Sequence, residues 1–203
     1  MPTNFPTSVD NFTNPTANDS LNLPSHSTQH ANANDAIEAI ETYMGLVLVN
    51  TTTFTSQSSV NFFGCFTSTY KHYVAEIDFV HSSGAMITYL QYYNGATLLN
   101  GATDYQWQET FFTTTTGSTR STGDAYSQIL QNSGATNVVS SIKFYNPQVS
   151  GLSTNTNHYL SAGAFTTIGA GSYKPTTAVD GFRFVWSAGT ATGTIRIYGY
   201  RNL

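Results

Sequence analysis

From residue 46 onward the chain alternates apolar and polar residues in short runs, with Gly, Asn and Ser separating one run from the next. A period of two predicts half-buried strands, because successive side chains on a strand point to opposite faces of a sheet. The runs place strands at 46–54, 60–66, 70–81, 85–93, 105–112, 125–130, 138–145, 158–168, 182–187 and 193–200. In Phe182-Arg183-Phe184-Val185-Trp186 the alternation sends Phe182, Phe184 and Trp186 to one face and Arg183 to the other. Thr194-Ile195-Arg196-Ile197-Tyr198 does the same, with Ile195 and Ile197 opposite Arg196. Many short strands with no helix among them describe a two-sheet sandwich, and the length suits a jelly roll.

Upstream the pattern changes twice. Asn34-Asp35-Ala36-Ile37-Glu38-Ala39-Ile40-Glu41-Thr42-Tyr43-Met44-Gly45 reads as a helix of about three turns, with Asn34 or Asp35 as cap and Gly45 as the stop. Ile37, Ile40, Met44 and Val47 follow heptad spacing, and isoleucine at both core positions favours three or more strands, which makes them candidates for a trimer axis. A single helix packed on its own domain would leave the same stripe. Residues 1–33 carry isolated apolar side chains, among them Phe5, Phe12, Leu21 and Leu23, with no strand or helix period. Such a segment cannot bury a core by itself, and these four residues are the expected apolar anchors of an attachment arm. The expected organisation is therefore all-β: a jelly-roll-type β-sandwich at 47–203, preceded by an extended N-terminal arm and one short helix at 1–46.

Composition narrows the function. Charged residues are only 9% of the chain while aromatic residues reach 14%, so the β segments can fill a core instead of remaining disordered. A net charge of −4, with seven Lys plus Arg scattered singly, provides no basic stripe for phosphates, and direct nucleic-acid binding is not expected. No apolar run approaches the roughly 18 residues of a membrane span, and Met1-Pro2-Thr3-Asn4-Phe5 lacks the features of a signal peptide, so neither membrane insertion nor an export signal is expected. The single cysteine, Cys65, sits in an apolar run and is expected to pack in the core.

Chemistry-bearing constellations are few. His26 and His30 have helical ligand spacing, but they precede the helix read above and lack a third ligand, so no metal is expected. Glu76 and Asp78 fall on one face of one strand, roughly 7 Å apart, yet a glycosidic bond must be flanked from two sides. No nucleophile elbow, phosphate loop or His-Glu-x-x-His run occurs, and the expectation is a protein without catalytic residues or cofactor. Tyr92, Tyr105 and Trp107 are candidate platforms for a sugar ring, with core packing as the alternative that a period of two allows.

Phe5-Pro6-Thr7-Ser8-Val9-Asp10-Asn11-Phe12-Thr13-Asn14-Pro15-Thr16, followed by Ser25-His26-Ser27-Thr28-Gln29-His30-Ala31-Asn32-Ala33-Asn34-Asp35-Ala36-Ile37-Glu38-Ala39-Ile40-Glu41, resembles a module at the start of tailed-bacteriophage structural proteins. The C-terminal part is similar to jelly-roll domains of phage decoration, head-fibre and tail-fibre proteins, through Tyr70-Lys71-His72-Tyr73-Val74-Ala75-Glu76-Ile77-Asp78 and Gly193-Thr194-Ile195-Arg196-Ile197-Tyr198-Gly199-Tyr200-Arg201. The resemblance implies a virion structural protein. It would be a capsid decoration (cement) or head-fibre protein whose homotrimer binds the major capsid protein on the capsid surface. A tail fibre bound to a tail protein and recognising host surface glycans is the alternative it leaves open.

Overall fold

A computed structural model describes residues 25–43, 45–83, 85–112, 116–133, 137–162 and 165–201. The chain divides at Gly45/Leu46 into two compact units.

Among its described residues the first unit contains one helix, α1 (His26–Tyr43). It begins eight residues before the expected start at Asn34. Ser25 is the reason: its hydroxyl accepts from the Thr28 amide at 3.2 Å and its carbonyl takes the first helical bond, from Gln29, at 3.1 Å. His26 and His30 therefore lie on the helix, a correction of the earlier placement. Gly45, with φ of +88°, follows it in the left-handed conformation that only glycine adopts without strain.

The second unit is all β. Its strands are β1 (Leu46–Gln57), β2 (Ser59–Phe62), β3 (Tyr70–His81), β4 (Ala85–Asn94), β5 (Thr97–Leu99), β6 (Tyr105–Phe112) and β7 (Thr116–Asp124). They continue with β8 (Ser127–Ser133), β9 (Asn137–Tyr145), β10 (Thr154–Ala162), β11 (Phe165–Tyr173), β12 (Gly181–Trp186) and β13 (Ala191–Arg201). All pairings are antiparallel. An eight-stranded sheet has the order β1-β13-β3-β9-β10-β11-β6-β7, and a second sheet has the order β2-β12-β4-β5, with β8 also pairing β4.

Setting aside β5 to β7 and β10 to β11 leaves eight strands with nested pairing: β1 with β13, β2 with β12, β3 with β9 and β4 with β8. First pairs with last and so on inward, which is the jelly roll. The remaining strands enlarge it. The β10–β11 and β6–β7 hairpins continue the first sheet beyond β9.

The alternation read from sequence sets which side chains enter the core. Phe182, Phe184, Ile195, Ile197, Tyr73, Ala75, Phe144 and Ile142 are all buried between the sheets. Phe182 stands at the centre of an aromatic cluster, 4.7 Å from Phe62, 5.0 Å from Phe144 and 5.5 Å from Phe66, centroid to centroid. Each such pair contributes about 0.5–1.5 kcal/mol beyond the burial of its area. Cys65 is buried beside Phe66, as expected. The stretch expected as one strand at 158–168 is instead the hairpin of β10 and β11.

Candidate ligand-binding face

The extension beyond β9 gives the eight-stranded sheet a broad outer face, and the register fixes which residues meet there. Lys143 of β9 lies opposite Asn157 of β10, Asn157 opposite Ala170 of β11, Ala170 opposite Gln108 of β6, and Gln108 opposite Arg120 of β7. One cross-strand row thus carries a cation at each end, an amide inside each cation and a methyl group at its centre. A neighbouring row runs Ser141, Tyr159, Ile168, Thr110. The row on the other side runs Tyr145, Asn155, Ser172, Gln106.

Side-chain length turns this face into a hollow. Ala170 is the outward residue at the middle of β11, while the longer Asn157 and Gln108 stand on the flanking strands. Two adjoining depressions of about 340 and 570 Å³ result, sharing Gln108 and Ala170 in their walls. Tyr159 and Ile168 are half exposed, and Lys143, Arg120, Asn157 and Gln108 are exposed. Neither depression has an Asp or Glu in its lining. Glu76 of β3 accepts from the Ser141 hydroxyl at 3.0 Å, at the rim.

The same strands carry a buried polar cluster on their inner face. His158 Nε2 and Glu109 Oε1 are 3.0 Å apart with both side chains out of solvent, and Gln128 Nε2 donates to the second carboxylate oxygen at 2.8 Å. The glycines of β11 follow from it. A Cβ on Gly169 would come within 2.3 Å of His158 Nε2, and one on Gly171 within 2.3 Å of the Ser127 hydroxyl. The inner cluster therefore requires glycine at the two inward positions that flank Ala170 on β11.

The sequence-derived site residues fall elsewhere. Tyr92, Tyr105 and Trp107 are buried, which corrects their assignment as sugar platforms: the phase of β6 turns Tyr105 and Trp107 inward with Glu109, and exposes Gln106 and Gln108. The Tyr105 hydroxyl donates to the Leu99 carbonyl at 2.6 Å and accepts from the Tyr92 amide at 2.9 Å. Burial pushes the pKa of both phenols up, above the ordinary 10.0. Ile37 and Ile40 lie on α1, 53% and 44% exposed. Val47 is in β1 beyond Gly45, opposite Gly199, so it does not continue the helical stripe and is corrected as a heptad position. Met44 and the arm residues Phe5, Phe12, Leu21 and Leu23 lie outside the described residues.

Other chemistry is sparse. His26 and His30 meet on the first turns of α1, their Nε2 atoms 3.0 Å apart and their rings edge to face. Among the described residues no group of three or more His, Cys, Asp or Glu is placed to hold a metal ion. Glu76 and Asp78 are both exposed on the outer face of β3, where Glu76 lies opposite Arg196. No helix among the described residues is long and apolar enough to cross a membrane. No protein-family model matches the chain, and no curated protein matches it either.

Proposed function

We propose that this chain is a non-enzymatic structural protein of a bacteriophage virion, a capsid decoration or head-fibre protein that binds the capsid exterior as a homotrimer. The observation that carries the reading is the division at Gly45/Leu46: a helical unit that leaves Ile37 and Ile40 open to solvent, then a jelly roll with its own core. An attachment module resembling those of phage proteins is thus joined to a compact β domain with no spacer. That suits a protein that coats a surface better than a fibre, which needs reach.

In this reading Phe5, Phe12, Leu21 and Leu23 anchor the arm to the major capsid protein. Three copies bring Ile37 and Ile40 together around one axis. Leu46 and Leu48, exposed on the edge strand β1, add apolar area where the jelly rolls meet side to side. A tail location, with the β unit reading a host glycan, is favoured by one observation, the polar hollow over Ala170.

Quantitative mass spectrometry of purified virions tests the assignment, with a copy number that scales with capsid facets as the expected result. Absence from virions overturns it, and a copy number of a few dozen moves the protein to the tail. Light scattering on the purified chain should give a trimer mass, and Ile37→Asp with Ile40→Asp should dissociate it, since six carboxylates would crowd the axis. A monomer mass for the wild type overturns the trimer.

A further inference from the structure

We infer that the hollow over Ala170 binds an acidic oligosaccharide, lying across β10, β11 and β6 with its carboxylates held by Lys143 at one end and Arg120 at the other. The inference rests on the outer face of the sheet and does not depend on a virion location. Four features of the face select this ligand class over others.

The first is the shape. Ala170 is the one outward side chain between Ile168 and Ser172 on β11 and is only a methyl group, so a ligand can approach the sheet closely at the centre of the row. The second is the wall chemistry. Asn157 and Gln108 stand on either side of Ala170, and each primary amide offers both a donor and an acceptor, the pair that sugar hydroxyls require. Tyr159, 52% exposed and one row along, presents an aromatic face to the apolar side of a pyranose ring.

The third is charge. The chain has only seven Lys and Arg and a net charge of −4, yet Arg120 lines one of the two adjoining depressions and Lys143 the other, without an acidic residue in either lining. Each stands two strands from Ala170, roughly 10 Å by the spacing of strands in a sheet. Each cation thus stands over one end of a ligand that crosses the row, where a guanidinium and an ammonium bind a carboxylate through charge-assisted hydrogen bonds. A neutral sugar would leave both cations unused. The fourth is rigidity. The face belongs to strands whose inner side is pinned by the buried Glu109, His158 and Gln128 contacts, so the backbone beneath the ligand needs no ordering on binding.

Affinity electrophoresis of the full-length protein tests this, with polygalacturonate and alginate as uronate probes and dextran as the neutral one. Retardation by at least one uronate polymer, weakening as salt rises, and none by dextran, is expected. Lys143→Gln combined with Arg120→Gln should lower the affinity at least about tenfold, since each removes a charge-assisted hydrogen bond. Tyr159→Ala should weaken binding while leaving its salt dependence in place. All three side chains are exposed or half exposed, so the melting temperature should stay that of the wild type.

Four results would overturn the inference: no retardation by either uronate polymer, equal retardation by dextran, unchanged binding in the double variant, or a changed oligomeric mass in that variant. The last would assign this face to contact between copies of the chain.

Discussion

Glu109 and His158 are paired across β6 and β10 with their side chains wholly out of solvent, Oε1 to Nε2 at 3.0 Å. Gln128 satisfies the second carboxylate oxygen from the opposite sheet, so the pair joins the two layers as well as two strands. Removing one partner leaves a buried polar group of the other without its hydrogen bond, which costs about 1–3 kcal/mol. Glu109→Ala and His158→Ala should each lower the stability of the β unit by that amount, read as a shift in urea midpoint at unchanged slope. Replacing both residues by leucine should cost less than the sum, because neither Glu109 nor His158 is then left without the other and the loss of the Gln128 partner is counted once. A loss under about 1 kcal/mol in either single variant would show that the cluster contributes little to stability.

Gly169 offers a sharper test of the same geometry. A Cβ there would lie 2.3 Å from His158 Nε2 and 2.7 Å from the Gln108 carbonyl oxygen, and the carbonyl cannot swing away. Gly169→Ala should therefore destabilise by about 1–3 kcal/mol. Gly123→Ala is the control: its nearest neighbours, in Thr103, begin at 3.6 Å, so the change should be within about 0.5 kcal/mol. Similar thermal shifts for the two variants would contradict the packing described for β11.

The strands most legible in sequence were those with large apolar residues in phase. The expected spans 70–81 and 105–112 coincide with β3 and β6, because Tyr73, Ile77, Phe79 and Tyr105 mark one face unambiguously. Strand β7 left no such mark: Thr116-Gly117-Ser118-Thr119-Arg120-Ser121-Thr122-Gly123-Asp124 has no large apolar residue and forms the sheet edge. The first two turns of α1 were hidden for a related reason, since Asn32 and Asn34 disfavour helix and no apolar stripe precedes Ile37.

The hollow itself could not be read ahead of the topology. Lys143, Asn157, Ala170, Gln108 and Arg120 are adjacent only because two inserted hairpins are stacked in the order β10, β11, β6, β7. One signal was present in the sequence, the polar phase Gln106 and Gln108 opposite Tyr105 and Trp107. The aromatic residues of β6 lie in the opposite phase, and burial takes Tyr92, Tyr105 and Trp107 out of reach of any ligand.

Cys65 supplies a prediction for alkaline solution. Burial pushes its thiol from the ordinary 9.0 up to about 12. The unfolded chain releases this proton near pH 9 while the folded chain keeps it, so the stabilisation is complete below pH 9 and is lost as pH rises toward 12. At pH 10 the loss amounts to about 1.4 kcal/mol, the value of one pH unit. The melting temperature should fall between pH 8 and 10, and less steeply in Cys65→Ala. In the native state at pH 8 the thiol should resist a thiol-specific reagent until denaturant is added. Rapid stoichiometric labelling of the folded protein would show that Cys65 is accessible.

The β unit should fold without what precedes it. Its aromatic cluster, around Phe182, and all four nested strand pairs of the jelly roll are drawn from residues after Gly45. A fragment spanning 46–203 has its own core and loses no strand, so it should unfold in one cooperative calorimetric transition. If assembly depends on Ile37 and Ile40, the fragment should be monomeric by light scattering and melt lower than the full chain, because association stabilises the folded state by mass action. A fragment with no cooperative transition at any temperature would mean that the helical unit is part of the folding domain. A fragment that remains a trimer would place assembly in the jelly roll and leave the exposed isoleucines of α1 for another partner.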